Sequence, residues 1–349
     1  MPCRKKAIFA ISTIFIIVSM VLIATEFVLR FYISITRGEL ALIPDPELGW
    51  ATKPNFKTER KILAFGGQEE YHVSITTNQY GFRRWGNVET DKQKIFIVGD
   101  SFTHSMYASN DKTWYSIFGE KSGFEVFTYG CSGYGTIQQY VVIKRYMDLI
   151  NPNFIIIAFT SNDFENNIET GNPDPIESAF GRPYLNPAAE SCSQKISNSP
   201  IQESLKISLK VSPIKRFLCS KSHLAYLLVT RSREFSGKFS SQNKNVDTTS
   251  NHQKSIYATE TVLKNLRDFL KTRNAELIIF ALSCEEGYLE DIKKISKNLD
   301  LRLISGVDEK IIEADSGKKL MRAADGSHLN QDGEKIVGEW LSEYWKSIP

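Results

Sequence analysis

The sequence predicts an α/β protein with a central parallel sheet, preceded by one N-terminal transmembrane helix. From residue 94 onward, short and nearly continuous apolar runs alternate with helical patterns. Alternating β and α units are typical of doubly wound layers, and strands covered on both faces are apolar throughout. Ahead of this pattern, residues 7–25 form a run of apolar and small residues without any charge.

The elements follow from the periodicity of the apolar residues. Five runs have the length and composition of buried strands, at 94–98, 124–129, 154–159, 276–282 and 301–304. Five segments between or after them have helical spacing, at 114–122, 136–150, 256–272, 288–298 and 331–346. We therefore expect a sheet with helices on both faces.

The uncharged segment 7–25 has the length of a membrane span. At ~1.5 Å per residue it covers ~28 Å, about the thickness of the hydrocarbon core. A buried helix of a soluble protein is rarely apolar on every face for this long. A cleaved signal peptide is the stronger alternative, but it needs small residues at the cleavage site, and Leu22 and Ile23 precede Ala24 there. We therefore favour an uncleaved anchor.

The charges around this segment predict its orientation. Arg4, Lys5 and Lys6 precede it, so residues 1–6 form a basic tail that we expect in the cytoplasm. Arg30 and Arg37 on the other side weaken this asymmetry without reversing it. The protein is then a single-pass membrane protein whose body lies in the periplasm or the extracellular space.

The composition is that of a globular protein and excludes some partners. Of the 349 residues, 42% are hydrophobic and 24% are charged. The net charge of +3 equals the contribution of the basic tail, so the rest of the chain is close to neutral. A dedicated nucleic-acid binder would have a clustered basic surface, so we expect no nucleic acid as a partner.

The cysteines give no sign of a metal site. Five of them are widely spaced, without a C-x-x-C pair, so we expect no structural zinc and no cofactor. Cys192 and Cys219 both lie within residues 186–253, and they are candidates for a disulfide outside the cytoplasm. Buried or free thiols are the alternative.

The chain beyond the span divides into two parts. Residues 26–93 are expected to form a juxtamembrane lead-in with some β-structure, and residues 94–349 the main domain. Within it, residues 186–253 interrupt the α/β alternation with a region rich in Ser, Asn, Gln and Lys. Only 213–235 has a helical apolar pattern there, so we expect an inserted cap region with one helix between polar segments.

A serine follows the first strand of the main domain. The run Ile-Phe-Ile-Val ends at Val98, and the turn Gly99-Asp100 leads directly to Ser101. In open α/β sheets, ligands bind at the carboxyl ends of the strands. The Gly-Asp-Ser tripeptide alone also fits a turn with a serine at a helix start. Its place after a buried strand makes Ser101 a candidate nucleophile.

A candidate base lies near the C-terminus, in the segment Asp325-Gly-Ser-His328. A serine hydroxyl needs a base to remove its proton, and imidazole suits this near neutral pH. The imidazole in turn needs an acceptor that fixes its tautomer. An aspartate three residues before a histidine supplies both groups from one loop, whereas a packing role is the alternative for a single histidine.

Two further strand ends carry possible oxyanion donors. The second strand leads into Gly130, Gly133 and Gly135, and glycine allows a backbone N–H to approach a ligand closely. The third strand leads into Asn162, whose amide group can donate to a developing negative charge. Each segment alone is also ordinary turn chemistry. Their common position at the strand ends favours a site.

The order of these motifs resembles the four blocks of the SGNH (GDSL-like) hydrolase superfamily, over about 94–345. The resemblance implies a three-layer α/β/α flavodoxin-like fold and a serine esterase. It implies Ser101 as nucleophile, Asp325 and His328 as its relay, and Gly133 and Asn162 as oxyanion donors, with Gly130 as the rival of Gly133. Thr128 stands where the family often has Asn, and Ser161 replaces a frequent Gly. The segment 78–83, Asn-Gln-Tyr-Gly-Phe-Arg, is similar to an upstream segment of membrane-linked members.

Three functions remain in view at this point. The first is hydrolysis of an ester of a small molecule or carbohydrate, including removal of O-acetyl groups, through an acyl-enzyme. The second is an O-acyltransferase that passes the same acyl group to a polysaccharide outside the cytoplasm. Alginate-acetylating relatives typically carry the D-x-x-H motif before the serine, whereas here it follows, which favours the hydrolase. The third is a non-catalytic carbohydrate-binding protein, which the intact serine, asparagine and D-x-x-H residues disfavour.

Overall fold

The computed structural model describes residues 2–36, 41–66, 70–169, 174–185, 207–209, 211–240, 248–315 and 320–347. Its helices are α1 (Pro2–Thr36), α2 (Ser101–His104), α3 (Trp114–Ser122), α4 (Thr136–Ile150), α5 (Ser161–Glu165), α6 (Pro175–Phe180), α7 (Pro213–Lys221), α8 (His223–Ser240), α9 (Thr248–Lys271), α10 (Glu286–Asn298), α11 (Val307–Asp315) and α12 (Gln331–Ser347). Its strands are β1 (Leu42–Asp45), β2 (Gly49–Thr52), β3 (Lys57–Leu63), β4 (Glu70–Thr76), β5 (Lys94–Gly99), β6 (Glu125–Gly130), β7 (Phe154–Phe159), β8 (Pro183–Leu185), β9 (Ile207–Leu209), β10 (Glu276–Ala281) and β11 (Arg302–Ile304).

The central sheet has five parallel strands in the order β11-β10-β7-β5-β6. Counted along the chain, this order is 2-1-3-4-5, which is the flavodoxin-like arrangement. It confirms the predicted fold class. The five predicted strands agree with the observed ones to within one residue at each end.

The sheet is covered on both faces, because its side chains alternate between two apolar cores. In β5, Phe96 and Val98 join a core with residues of α4 and α9, and Ile95 and Ile97 join the opposite core with residues of α3 and α12. All four side chains are fully buried. This two-sided burial explains why the strands are continuous apolar runs in the sequence.

Helix α1 contains the predicted membrane segment. The stretch Lys6–Tyr32 is long and apolar enough to cross a membrane, with a mean hydropathy of 2.8 in its most apolar part. No residue of that most apolar part is buried in the protein. The apolar helix therefore extends several residues beyond the predicted 7–25.

The lead-in packs into the body. Strands β1 and β2 form one antiparallel hairpin, and β3 and β4 form another. Leu48 and Trp50 of the first hairpin are fully buried in the same core as α4. The short strand β2 therefore reaches the interior, close to the end of β6.

The inserted region differs from the expected single helix. Where one helix was expected in 213–235, the structure has α7 and α8, separated at Ser222, whose backbone is extended. The Ser222 hydroxyl accepts the Ala225 N–H and so starts a new helix instead of continuing α7. The remainder of 186–253 lies largely outside the described residues, as does Cys192. Among the described cysteines, Cys131, Cys219 and Cys284 are free thiols.

Candidate active site

Ser101 is the first residue of α2, immediately after β5. The Asp100 carboxylate accepts the Phe102 N–H at 2.9 Å and thereby caps the helix. The cap fixes the strand-to-helix turn, so the Ser101 hydroxyl is held at the carboxyl end of the sheet.

The loop before α12 brings a histidine and an aspartate to this serine. His328 Nε2 lies 2.8 Å from Ser101 Oγ, and His328 Nδ1 lies 2.6 Å from Asp325 Oδ2. Asp325 also accepts the backbone N–H of Ser327 and of His328, each at 3.0 Å. The loop is thus folded around the Asp325 carboxylate, and the three groups form one continuous hydrogen-bonded relay.

The relay has a defined electrostatic state. Partial burial acts to raise the pKa of Asp325, but the N–H groups of Ser327 and His328 and the imidazole outweigh it and lower that pKa below its ordinary value. Burial and a hydrogen bond to Asp325 raise the pKa of Tyr107 to about 12, so its hydroxyl stays protonated and donates to the carboxylate. An ionised Asp325 suits the stabilisation of an imidazolium.

The imidazole of His328 is also positioned by packing. Its ring centroid lies 5.0 Å from that of Phe102 and 5.6 Å from that of Tyr107, with tilts of 34° and 32°. The two rings limit rotation of the imidazole. Tyr107 could not be selected from the sequence, since its contact with Asp325 joins two distant parts of the chain.

The candidate oxyanion donors include two backbone N–H groups, that of Ser101 itself and that of Gly133 in the loop after β6. Within the described part of the chain, neither the Ser101 N–H nor the Gly133 N–H donates a hydrogen bond. Gly133 has a φ of +78°, a conformation that favours glycine. Its neighbour Ser132 contacts His104, the last residue of α2, with 3.0 Å between Ser132 Oγ and His104 Nδ1.

Gly130 has a different environment from Gly133. A Cβ at Gly130 would lie 2.2 Å from the Thr103 carbonyl carbon and from the His104 nitrogen. The absence of a side chain at Gly130 therefore lets α2 pack against the end of β6. A Cβ at Gly133 would meet nothing closer than Trp50, at 3.4 Å.

Asn162 follows β7 and lies beside the same turn. Its Oδ1 accepts the Thr160 hydroxyl, and its side chain bonds to the Asp100 carboxylate. Asp100 is fully buried, which raises its pKa, and its Oδ2 lies 3.0 Å from Thr160 Oγ1, so the single Thr160 proton is shared between Asp100 and Asn162. An amide NH₂ has two donors, so one remains for a ligand while the other binds Asp100.

Trp50 holds the peptide unit that carries the Gly133 N–H. The Trp50 Nε1–H donates to the Ser132 carbonyl at 2.9 Å. In a trans peptide the C=O of Ser132 and the N–H of Gly133 point in opposite directions. The tryptophan therefore fixes the direction of the N–H from the far side.

Arg182 supports the same loop from the next peptide unit. It is buried, lies 4.9 Å above the Trp50 ring and donates to the Gly133 carbonyl. Its other donors bind Asp174 at 2.8 Å and Glu177 at 3.0 Å, at the start of α6. Sequence reasoning missed Trp50 and Arg182, because each acts through a tertiary contact and neither stands in a recognisable motif.

The chain is similar to known proteins in its fold and not in its sequence. No protein-family model matches the sequence, and neither does any curated protein. Among solved structures, an esterase from Pseudoalteromonas sp. is 10% identical over 73% of this chain and 97% of its own, with a TM-score of 0.42.

Two further solved structures give a similar result. A putative lipolytic protein of the G-D-S-L family from Desulfitobacterium hafniense is 11% identical over 72% of this chain and 98% of its own, with a TM-score of 0.38. A family 3 carbohydrate esterase from Clostridium thermocellum is 15% identical over 73% and 96%, also with a TM-score of 0.38. Because the TM-scores are below 0.5, these similarities do not assign a function. The functional argument rests on the geometry of the chain's own residues.

The site thus has the parts of a serine nucleophile centre. It combines a hydroxyl, a histidine within hydrogen-bonding distance, a carboxylate that orients the histidine, and free backbone donors on the adjacent strand ends. Among the described residues, no group of three or more His, Cys, Asp or Glu side chains is placed to hold a metal ion.

Proposed function

We propose that the protein is a serine ester hydrolase that works through an acyl-enzyme on Ser101. The observation that carries this proposal is the continuous relay from Ser101 Oγ through His328 to Asp325, with distances of 2.8 and 2.6 Å. These distances lie within the range required for proton transfer from a nucleophile to its base.

The first half-reaction forms the acyl-enzyme. Ser101 Oγ attacks the ester carbonyl carbon while His328 Nε2 takes the hydroxyl proton, and Asp325 stabilises the imidazolium through Nδ1–H. The carbonyl oxygen becomes an oxyanion, which the N–H groups of Ser101 and Gly133 and the amide of Asn162 stabilise. His328 then gives the proton to the departing alkoxide, which leaves as an alcohol.

The second half-reaction releases the acyl group. His328 removes a proton from a water molecule that attacks the acyl carbon, and the same donors stabilise the second oxyanion. Collapse of this intermediate returns the proton to Ser101 Oγ and releases a carboxylic acid. If a sugar hydroxyl takes the place of water, the same steps transfer the acyl group, which is the O-acyltransferase alternative.

We place the substrate outside the cytoplasm and assign it to the O-acylated carbohydrates, with O-acetyl as the acyl group to test first. The position is supported by the basic residues Arg4, Lys5 and Lys6 ahead of the apolar span. The carbohydrate is supported by that location and by the resemblance to SGNH hydrolases.

The test uses the full-length protein in detergent, a small activated acetate ester and a panel of acetylated polysaccharides. We expect acetate release that Ser101→Ala abolishes, with a loss of roughly 10³-fold or more. His328→Ala should lose about as much, and the double variant little more, because the two residues act as a unit. A fluorophosphonate should label the wild type on Ser101.

Two outcomes would contradict the proposal. Turnover that is undiminished in folded Ser101→Ala would exclude a serine esterase. Acetyl transfer to an added oligosaccharide, without acetate release from any substrate, would assign the protein to the acyltransferases.

A further inference from the structure

Helices α7 and α8 expose an apolar face. In α7, Ile214, Phe217 and Leu218 lie at helical spacing on one face, with Ile214 73% and Phe217 62% exposed. Leu227 and Leu228 of α8 are also exposed. An amphipathic helix on a soluble protein normally turns its apolar face inward, so this arrangement marks an interaction surface. We call α7 and α8 together the hairpin.

The sequence in and around the hairpin is strongly basic. No acidic residue occurs between Glu203 and Glu234, whereas the same stretch has seven basic ones: Lys206, Lys210, Lys215, Arg216, Lys221, Arg231 and Arg233. The rest of the chain has nearly balanced charge, so this concentration is local. Apolar side chains flanked by lysine and arginine are typical of segments that lie on anionic lipid surfaces.

The hairpin is fastened to the apolar helix α1. The Glu26 carboxylate accepts the Ser222 hydroxyl at 2.8 Å and the backbone N–H groups of His223 and Leu224 at 3.0 and 2.9 Å. It therefore caps the N-terminus of α8 from a different helix. Arg30, one turn further along α1, donates to the Lys221 carbonyl at the end of α7.

The position of Glu26 along α1 sets the depth of the hairpin. The apolar stretch of α1 ends at Tyr32, six residues beyond Glu26. The uncharged run 7–25 ends directly before Glu26, so the junction of α7 and α8 lies at the end of that run. Interfacial helices bury their apolar faces ~5–10 Å into the boundary between head groups and acyl chains.

We propose that the hairpin is a second membrane contact, with its exposed apolar face inserted into the lipid interface next to the α1 span. The bilayer itself covers the apolar face, because the hydrogen bonds of Glu26 to the start of α8 hold the hairpin at interfacial depth. Described basic side chains such as Lys221, which is exposed, then lie near the phospholipid head groups. This inference does not depend on the esterase chemistry.

The test places the full-length protein in nanodiscs that contain zwitterionic and anionic phospholipids and, on average, at most one copy of the chain. A bimane fluorophore is attached to Phe217→Cys, in a background with Cys3, Cys192 and Cys284 replaced by Ser and the buried Cys131 and Cys219 retained. The matched control is Ile312→Cys on α11, a site that is 65% exposed on another part of the body.

We expect lipids with a shallow nitroxide to quench the fluorophore at position 217 at least fivefold more strongly than the one at position 312. Aqueous iodide should show the opposite preference. Equal iodide quenching at both positions would overturn the proposal. Protection of position 217 only in discs with two copies would also overturn it, because a second chain would then cover the face.

A double variant tests the same contact without a label, in case the fluorophore disturbs the hairpin. Ile214→Glu/Phe217→Glu adds charges to exposed positions, so the fold in detergent should be retained. In nanodiscs, we expect proteases to cleave between α7 and α8 at least tenfold faster than in the wild type. Equal cleavage rates in a folded variant would show that the face does not lie in lipid.

Discussion

At the scale of single residues, the candidate site depends on side chains that make no contact with the serine. Trp50 and Arg182 bind the two carbonyl groups on either side of the Gly133 nitrogen. Burial, together with the positive charges of Arg83 and Arg60, lowers the pKa of His104 to about 3, so its neutral ring contacts Ser132. Three side chains thus hold one short loop in place.

Replacing Trp50 by Phe tests this support. The substitution keeps an aromatic ring beside Arg182 but removes the donor to the Ser132 carbonyl. We expect kcat to fall roughly tenfold with KM within about twofold, because the Gly133 N–H, as the proposed oxyanion donor, would act mainly in the transition state.

Trp340→Phe is the matched control, since this tryptophan packs on Phe280 in the opposite helical layer. Steady-state kinetics on a small ester and thermal unfolding together decide the role of Trp50. A lower melting temperature with unchanged kcat would mean that Trp50 serves only the fold.

At the scale of elements, helix ends are capped by carboxylates from other helices. Glu26 of α1 caps α8, and Glu334 of α12 accepts the Trp114 N–H at the start of α3, at 2.8 Å. Such contacts link segments about 200 residues apart in sequence, so they fix the relative positions of helices as well as their ends.

Glu334 gives a prediction about pH. Complete burial raises its pKa to about 7, against hydrogen bonds from the Trp114 N–H and Ser105 that lower it. The folded state therefore binds this proton more tightly than the unfolded state. The stabilisation that this proton contributes is therefore fully present below the unfolded pKa, near 4.5, and is lost as the pH rises to about 7.

Glu334→Gln keeps an acceptor for the Trp114 N–H and cannot ionise. We expect the wild type to lose on the order of 1–3 kcal/mol of unfolding free energy, relative to this variant, between pH 4.5 and 7.5. Denaturant melts at several pH values measure the difference. Parallel pH profiles for the two proteins would contradict a raised pKa at Glu334.

The sheet was predictable because each strand can be recognised from its own apolar composition. Apart from Lys94 at the start of β5, the central strands β5 and β7 have no polar side chain, and burial on both faces requires that composition. The break between α7 and α8 was not predictable, since Ser222 and Glu26, 196 residues apart, determine it together. Trp50 was likewise placed in a lead-in, and only the tertiary structure shows it buried beside the loop after β6.

The motifs of the candidate site were predictable in part. Ser101, Asp325 and His328 were selected from chemistry and order, and the structure brings the three together. The different surroundings of Gly130 and Gly133 come from the packing of α2, which no local pattern contains.

At the scale of the whole molecule, the orientation in the membrane can be tested separately. We expect a reporter fused after Pro349 to be active only if it functions outside the cytoplasm, because the basic residues precede the span. The mature protein should retain residues 7–25 and stay with membranes after a high-salt wash. A soluble form that starts near Glu26 would identify a cleaved signal peptide instead.

The contact of α6 with both helices of the hairpin has a kinetic consequence. Arg182 links the loop at Gly133 to α6, so the candidate site and the hairpin belong to one packed unit. With the hairpin in the interface, an ester tethered to the same bilayer would be found by lateral diffusion in two dimensions. Its turnover would then follow the surface density of substrate, and dilution of the vesicles would leave the rate per enzyme unchanged.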